Sequence, residues 1–401
     1  MLLTAAVWLL RVLFGLVALG WLAALTRIIT NRLRPRWQLS PDDPPAPEDV
    51  TVSVIIPARD EEDNLGACLD TVRAQDHPGL QIVVLDDAST DRTGVVLSAQ
   101  AERDDRIVAL TGDGGPLPDG WFGKPWALQR AQAEATGGWL VFIDADVRLH
   151  PAAISRAVGY AVREKVDMVS GLGALGAETF WEKVLQPAVG GLILAGNDLD
   201  DVNDPEKKDK NLANGQFIVI SREAYDAIGG HGAVKQDILD DIGLARAVVA
   251  ADRQIRCLRM RTLFYCRMYT GFDDLWEGWT KNLFAGMRYS WGNAVAALIF
   301  TFLFSVMGPL LLLLGMVGMV GPEWLWWGLG LTVLLQTARG LMDAFYEQPV
   351  AYGLTHAPAN VLVMAMIVHS AIRTSRGNVT WKGRTYQPSI KTSADPRRLD
   401  G

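Results

Sequence analysis

The sequence predicts an α/β fold, a mostly parallel sheet with helices on both faces, flanked by apolar segments that cross a membrane. Three observations lead there. From residue 52 onward short, near-continuous apolar runs alternate with amphipathic stretches. Such runs are strands buried on both faces, and helix-covered parallel sheets provide that burial. The apolar excess of the chain collects at residues 2–26 and 294–372, leaving a middle of ordinary soluble composition. Acidic residues gather where the apolar runs end, and sheets of this kind bind ligands beyond the carboxyl ends of their strands.

Taken in order, residues 1–28 read as an N-terminal membrane helix. The run LLTAAVWLLRVLFGLVALGWLAALT exceeds the roughly 20 apolar residues that span a bilayer. Arg11 interrupts it and, near a helix end, can reach the headgroups. A cleaved signal peptide fits less well, because the run is long and no small-residue cleavage site precedes TRIITNRLRPR. Arg27, Arg32, Arg34 and Arg36 follow the span, which puts the middle domain on the cytoplasmic face of the cell membrane. Residues 29–50, rich in proline and acid, read as an exposed linker.

The expected sheet domain covers residues 51–270. VSVIIPA, QIVVLDD, IVALTG and GWLVFIDAD read as strands; EDNLGACLDTVRAQ, DRTGVVLSAQAERD and KPWALQRAQAEAT read as the helices between them. NGQFIVISREAY adds a strand and a helix, and DLDDVNDPEKKDKN (198–211) reads as a solvated loop. Residues 271–292 place Phe272, Leu275, Trp276, Trp279, Leu283 and Phe284 on one helical stripe. Two readings fit it: an amphipathic helix in the membrane interface, or a core helix packed on the sheet.

Residues 293–373 hold two to three further membrane helices, breaking at about 294–320, 324–346 and 350–372, with Pro309, Arg339, Asp343 and Pro358 interrupting them. The tail, 374–401, is basic and predicts a cytoplasmic end. Three full crossings would put it outside, so one segment is re-entrant or interfacial, and Pro358 singles out the last. The net charge of -7, with no long basic run, excludes nucleic acid as a partner. Three cysteines, Cys68, Cys257 and Cys266, have no metal or disulfide spacing and read as reduced thiols.

Four polar stations carry the candidate chemistry. They are Pro57-Ala58-Arg59-Asp60-Glu61-Glu62, Asp86-Asp87-Ala88-Ser89-Thr90-Asp91, Asp144-Ala145-Asp146, and Asp240-Asp241. Singly, each reads as a cap or a polar turn. Together they suggest more. An Asp-x-Asp at a strand end puts two carboxylates on one face, and hard oxygen ligands suit Mg²⁺ or Mn²⁺. Such a metal takes one or two carboxylates and completes its shell with phosphates and water, as a nucleotide diphosphate would supply. Lys124, in GWFGKPWAL, is a second cation able to reach that region; a surface lysine at a helix start is the other reading.

SVIIPARDEEDNL, VVLDDASTDRT, GKPWALQRA, FIDADV and LDDIGLAR, in this order and spacing, resemble the motif series of inverting family 2 glycosyltransferases. The resemblance covers about residues 52–250 and implies a nucleotide-diphospho-sugar-binding GT-A fold. It also implies transfer of a sugar, expected from a UDP-sugar, onto an acceptor hydroxyl. By position, Pro57, Ala58, Arg59 and Glu61 would line the nucleotide pocket and Asp87 would bond the base, with Asp86 beside it. Asp144 would face the ribose or phosphate and Asp146 the metal. Asp241 would be the base that deprotonates the acceptor, next to Asp240. The family's usual Glu-Asp is here Asp-Asp, which leaves Asp237 as a competing base. Processive members carry Gln-x-x-Arg-Trp downstream; WEGWTKNLFAG stands here instead, which disfavours a polysaccharide synthase. Asn214-Gly215-Gln216, Gly229-Gly230-His231, WTKN and WKGRTY look like the membrane-anchored subgroup linked to carotenoid and hopanoid lipids. That likeness implies a membrane-lipid acceptor, with Gly229-Gly230-His231 near its mouth; a turn with a surface histidine is the plainer reading. Asn214 and Gln216 read as sugar contacts or as a polar strand start. A polyprenyl-phosphate acceptor and a catalytically silent membrane scaffold are the competing functions.

Overall fold

A computed structural model describes residues 2–33, 35–377, 379–381 and 384–386. The N-terminal helix α1 (Leu2–Leu33) runs past the predicted end at residue 28. The strands and helices of the first half follow the predicted alternation: β1 (Val52–Ala58), α2 (Leu65–Arg73), β2 (Leu80–Asp86), α3 (Thr93–Ala101), β3 (Ile107–Thr111), α4 (Gly123–Ala131) and β4 (Trp139–Ile143). Then come β5 (Val147–Leu149), α5 (Ala153–Glu164), β6 (Met168–Leu172), β7 (Ala174–Leu175), α6 (Phe180–Gly196), α7 (Leu199–Val202), β8 (Phe217–Ser221) and α8 (Arg222–Ala227). The domain closes with α9 (Asp240–Ala250), β9 (Ile255–Arg259) and β10 (Phe264–Cys266).

Seven strands form one sheet in the order β3-β2-β1-β4-β8-β6-β9. All neighbours are parallel except β8, which runs antiparallel to both β4 and β6. Side chains alternate across the sheet, so Val54 and Ile56 of β1 pack with Leu65, Leu69, Ile154 and Val158 on one face. Ile55 and Val83 pack with Leu128, Ala131, Ala245 and Val248 on the other. Both faces are covered, which is why these strands lack the alternation of a half-exposed sheet. Because β2, β1 and β4 are parallel neighbours, three of the four polar stations fall on a single edge.

The predicted exposed linker is instead strapped to the domain. Leu39 and Ala46 are buried. Leu39 N–H donates to the Arg259 carbonyl at 2.9 Å, and Arg259 N–H donates to the Trp37 carbonyl at 2.7 Å. Farther on, Ala46 N–H donates to the Ser155 carbonyl at 2.8 Å. Proline and acid composition signalled irregular backbone correctly but carried no information on docking. Gly159 of α5 admits the strap, since a Cβ there would lie 2.5 Å from the Pro45 carbonyl carbon. Gly159→Ala is therefore expected to destabilise the domain by about 1–3 kcal/mol, the usual scale of overpacking. Urea unfolding against wild type measures it.

The 198–211 stretch also departs from a purely solvated loop. Leu199, Val202 and Leu212 are buried around Cys257, and the Asn203 side chain exchanges two hydrogen bonds with the Cys257 backbone, at 2.9 and 2.7 Å. Hydrophobic residues spaced among many charges concealed this in the sequence.

Beyond the sheet lie α10 (Phe272–Gly286), α11 (Trp291–Thr301), a π-helical turn (Phe302–Val306), α12 (Met307–Met316), α13 (Pro322–Phe345) and α14 (His356–Ser375). A two-strand ladder, β11 (Val379–Trp381) with β12 (Arg384–Tyr386), follows; the rest of the basic tail lies outside the described residues. The stripe of α10 is buried neither on the sheet nor in a free interface. Leu275, Trp279, Leu283 and Phe284 pack against Val184, Leu185 and Val189 of α6 and Val363, Met366 and Ile367 of α14. Two polar contacts pin the same seam: Trp276 Nε1 donates to His369 at 2.9 Å and Phe284 N–H donates to Ser370 Oγ at 3.0 Å.

Among the described residues, three helical segments are long and apolar enough to cross a membrane: Thr4–Leu33, Trp291–Met316 and Val350–Ser375. The segment missing from that set is α13, not the expected 350–372. Glu323, Arg339 and Asp343 load α13 with charge, whereas Pro358 sits in the first turn of α14, where proline is tolerated. Phe14 and Val17 of α1 pack with Met307 and Leu331, and Arg11 pairs with Glu323 at the start of α13.

Candidate active site

At the ends of β1 and β2, backbone and side chains tie two loops together. Pro57 and Ala58 are the last residues of β1 and lie opposite Leu85 and Asp86 of β2. Asp87 N–H donates to the Ala58 carbonyl at 2.7 Å, and Arg59 Nη1 donates to the Asp87 carbonyl at 2.8 Å. The Arg59 guanidinium also stands 3.9 Å from the Asp87 carboxylate. Asp86 and Asp87 are buried. The Asp86 carboxylate accepts from Ser89 N–H at 3.0 Å, closing its own turn. Asp60 and Ala88 both hold left-handed backbone, at φ 51° and 55°. Thr90 N–H donates to Asp60 at 2.7 Å and Asp60 N–H donates to Ser89 Oγ at 2.9 Å, which fixes that conformation. The result is a rigid, polar rim at two adjacent strand ends.

The second half of the site forms beyond β4. Asp144-Ala145-Asp146 occupies a tight turn between β4 and β5, with Val147 N–H donating to the Asp144 carbonyl at 3.3 Å. The shared strand face expected for the two carboxylates is therefore replaced by turn geometry. Asp144 is half-exposed and pairs with Lys124 Nζ at 2.6 Å. Asp146 points inward, and its Oδ1 is buried with no hydrogen-bond partner among the described residues.

Asp240 and Asp241 do not follow a strand; they open α9. The turn before β8 brings them to the same place. Gly215 N–H donates to Asp241 Oδ2 and Ile242 N–H donates to Asp241 Oδ1, each at 2.8 Å. A Cβ on Gly215 would lie 3.3 Å from Lys124 Nζ and 3.5 Å from Asp241. Lys124, Asp144, Gly215 and Asp241 thus share one small volume.

Charge crowding sets the electrostatics. Burial and then Asp240 push the Asp241 carboxyl above the ordinary carboxylate range, with Lys124 opposing. Burial, then Asp144 and Glu61, push Asp146 the same way. Burial alone would lower Lys124, but Asp144, Asp240 and Asp241 outweigh it and hold the ammonium firmly protonated. A buried carboxylate with an unpartnered oxygen, crowded by two further acids, calls for a cation. No group of three or more His, Cys, Asp or Glu able to hold a metal exists among the described residues. Asp144 and Asp146 alone are a donor set of the kind a hard divalent ion accepts when phosphate and water complete its shell.

Several residues stand apart from this centre. Asp237 lies against Gly243, where a Cβ would approach its carboxylate to 2.3 Å, with Arg246 and Tyr289 as electrostatic neighbours. His231 is not on the surface. It is buried against Phe142 and Tyr225, and burial, then Lys124, lowers it to about 3. The glycines before it take φ 78° and 60°, and a Cβ on Gly230 would strike the Tyr225 ring at 2.7 Å. Asn214 and Gln216 build the turn itself: Asn214 Nδ2 donates to the Gly171 carbonyl at 3.1 Å and to Gln216 Oε1 at 3.0 Å.

Two residues escaped the sequence reading. Gly215, noticed only as part of a motif, holds Asp241 by its amide. Lys281 of α10, likewise noticed only within the WTKN motif, lies within electrostatic reach of Lys124, Asp240, Asp144 and Asp241; burial, then Lys124, lowers it to about 8. The stripe on α10 drew attention to the apolar face and away from Lys281.

The chain is 27% identical over 253 residues to a 4,4'-diaponeurosporenoate glycosyltransferase of Staphylococcus aureus strain MRSA252. It is 28% identical over 240 residues to that of strain USA300, covering 59% of this chain and 61% of the relative. For the first relative the match covers 62% of this chain and 64% of the relative, less than two thirds of its length. Among solved structures, a mannosyltransferase from Pyrobaculum calidifontis in complex with GDP-Man and Mn²⁺ superposes with a TM-score of 0.55 at 18% identity, covering 93% of this chain and 98% of that one. At that identity the likeness establishes the GT-A fold. Residues 53–239 match the model of the family described as Glycosyl transferase family 2, and over that stretch the chain is similar to that family.

Proposed function

We propose that the protein is a membrane-anchored, inverting glycosyltransferase. It would move a sugar from a nucleotide-diphospho-sugar, expected to be a UDP-sugar, to a hydroxyl of a membrane lipid, with the sheet domain on the cytoplasmic face of the cell membrane. The observation that carries this reading is the placement of Asp241, held by two backbone amides beside the Lys124–Asp144 pair.

In this reading Pro57, Ala58, Arg59, Glu61, Asp86 and Asp87 surround the nucleoside, and Asp144 with Lys124 faces the phosphates. Mg²⁺ or Mn²⁺ at Asp146 and Asp144 would supply charge stabilisation for the leaving diphosphate. Asp241 takes the proton of the acceptor hydroxyl as its oxygen bonds to the anomeric carbon. The sugar–phosphate bond breaks on the opposite face, and its electron pair leaves with the diphosphate. A carboxylate with a raised pKa is better suited to that transfer than an ordinary one. The apolar helices joined to the domain through α10 suit a lipid acceptor, and the relatives named for diaponeurosporenoate support the carotenoid type among carotenoid, hopanoid and glycerolipid acceptors.

The test is sugar transfer by the purified chain in detergent, with Mn²⁺ or Mg²⁺, from a panel of nucleotide sugars into a total lipid extract. A new metal-dependent glycolipid supports the reading. Transfer to polyprenyl phosphate alone would replace the acceptor class, and no use of any donor would leave a silent scaffold. The same assay gives a pH prediction. Asp241 must be ionised to accept a proton, and its carboxyl is raised, so kcat/KM is expected to fall on acidification well above pH ~4, where an ordinary Asp titrates. An acid limb at or below that value would remove Asp241 as the base.

A further inference from the structure

The helix that ties the domain to the apolar segments also closes on the reaction centre. Gly278, Lys281, Asn282 and Ala285 share one face of α10 by helical spacing. Two contacts orient that face. Gly278 accommodates the Tyr269 hydroxyl, which a Cβ would approach to 2.3 Å, and Tyr269 lies within electrostatic reach of Asp146. One turn past Asn282, Gly286 packs on Leu239, the residue before Asp240, with a Cβ-to-Cδ1 separation of 3.9 Å. Between these two points stands half-buried Lys281, with Asp144, Asp240, Asp241 and Lys124 as its charged surroundings. The next residue, Asn282, has its Oδ1 buried without a hydrogen-bond partner among the described residues.

A nucleotide-diphospho-sugar brings negative charge into a place already holding Asp144, Asp240 and Asp241. Lys124 is engaged with Asp144 at 2.6 Å, and a divalent ion at Asp144 and Asp146 would leave the charge of Asp240, Asp241 and the diphosphate only partly offset. Resting on the nucleotide-sugar reading above, we infer that α10 completes the donor site, with Lys281 binding the diphosphate and Asn282 beside it as a hydrogen-bonding partner of the donor. α10 is pinned to α14 through Trp276–His369 and Phe284–Ser370, so a membrane-side helix contributes directly to donor binding. The ammonium takes up charge on the diphosphate as the sugar–phosphate bond breaks; no proton or covalent bond changes hands at Lys281.

The test compares nucleotide affinities of the full chain in detergent with Mn²⁺, by calorimetry, for wild type, Lys281→Met and Lys281→Arg. The probes are UDP and UMP, with GDP and GMP as the second pair. Lys281→Met is expected to weaken diphosphate binding by about tenfold to a hundredfold, the range for a lost charge-assisted contact. It should leave monophosphate binding within about twofold, and Lys281→Arg should recover most of the loss. Unchanged diphosphate affinity would overturn the inference, as would an equal loss for both nucleotides in a variant that melts like wild type. Should the methionine variant not fold, Lys281→Gln carries the same comparison. Wild type that binds neither diphosphate would sink the nucleotide-sugar reading itself, and this inference with it. Normal wild-type binding, unchanged on substitution, removes Lys281 alone.

Discussion

Asp241→Asn is expected to lower sugar transfer by roughly 10³-fold, within the usual range for loss of a general base, while the nucleotide sugar binds as before. The separation follows from where Asp241 sits. Both of its oxygens accept backbone N–H groups at 2.8 Å, from Gly215 and Ile242, so an asparagine of the same shape keeps at least one of those contacts. The polar rim at Arg59 and Asp87, where the nucleoside is proposed to bind, is built on the ends of β1 and β2, whereas Asp241 belongs to α9. What the substitution removes is the ability to take a proton. Asp237→Asn is the internal control: Asp237 lies against Gly243 with Arg246 as a charged neighbour, and its loss should leave transfer within about threefold of wild type. Donor affinity is measured by calorimetry and transfer by radiolabelled sugar. Equal losses in both quantities for Asp241→Asn, or full activity, would strip Asp241 of its role, and a dead Asp237→Asn would hand that role to Asp237.

The sequence was most informative where burial is two-sided and least informative where contacts join distant segments. VSVIIPA is a strand at its predicted ends because an unbroken apolar run between polar stations admits little else. The helices after β1 and β2 start later than their patterns suggested. Asp60, Glu62 and Asp91 are spent on loop hydrogen bonds to Thr90, Arg92 and Thr93, leaving Leu65 and Thr93 as the first helical residues. Asp-x-Asp was legible as a pair, yet its turn was not, since a strand continuation and a two-residue turn present the same letters. The docking of 37–46, the burial of His231 and the seam between α10 and α14 depend on partners more than 80 residues away in several cases, as with Phe284 and Ser370. Local periodicity cannot reach that far. Lys281 belongs to the same class: WTKN marked it, but its charged neighbours Asp144, Asp240 and Asp241 lie on segments that no local pattern joins to α10.

Asp146→Asn is expected to abolish metal-dependent turnover and, without metal, to make the domain more stable than wild type at neutral pH. The two effects share a cause. In the folded domain burial, Asp144 and Glu61 raise the Asp146 carboxyl above its ordinary range, which means that the ionised form is penalised by folding. A group of that sign costs stability above its folded pKa, and the cost disappears as pH falls through that pKa towards the unfolded value. Metal-free wild type should accordingly gain thermal stability on mild acidification from neutral pH, and Asp146→Asn should show that gain already at pH 7 and respond less to pH. Adding Mn²⁺ with UDP should raise the melting temperature of wild type and leave that of Asp146→Asn nearly unchanged, because the unpartnered Oδ1 is the atom best placed to meet a cation. Differential scanning calorimetry at two pH values, with and without Mn²⁺ and UDP, reads all of this without relying on turnover. A variant that still gains stability from Mn²⁺ with UDP would place the cation on other residues, with Asp144 the first to examine. A variant less stable than wild type without metal would show that the Asp146 carboxylate is needed by the fold itself.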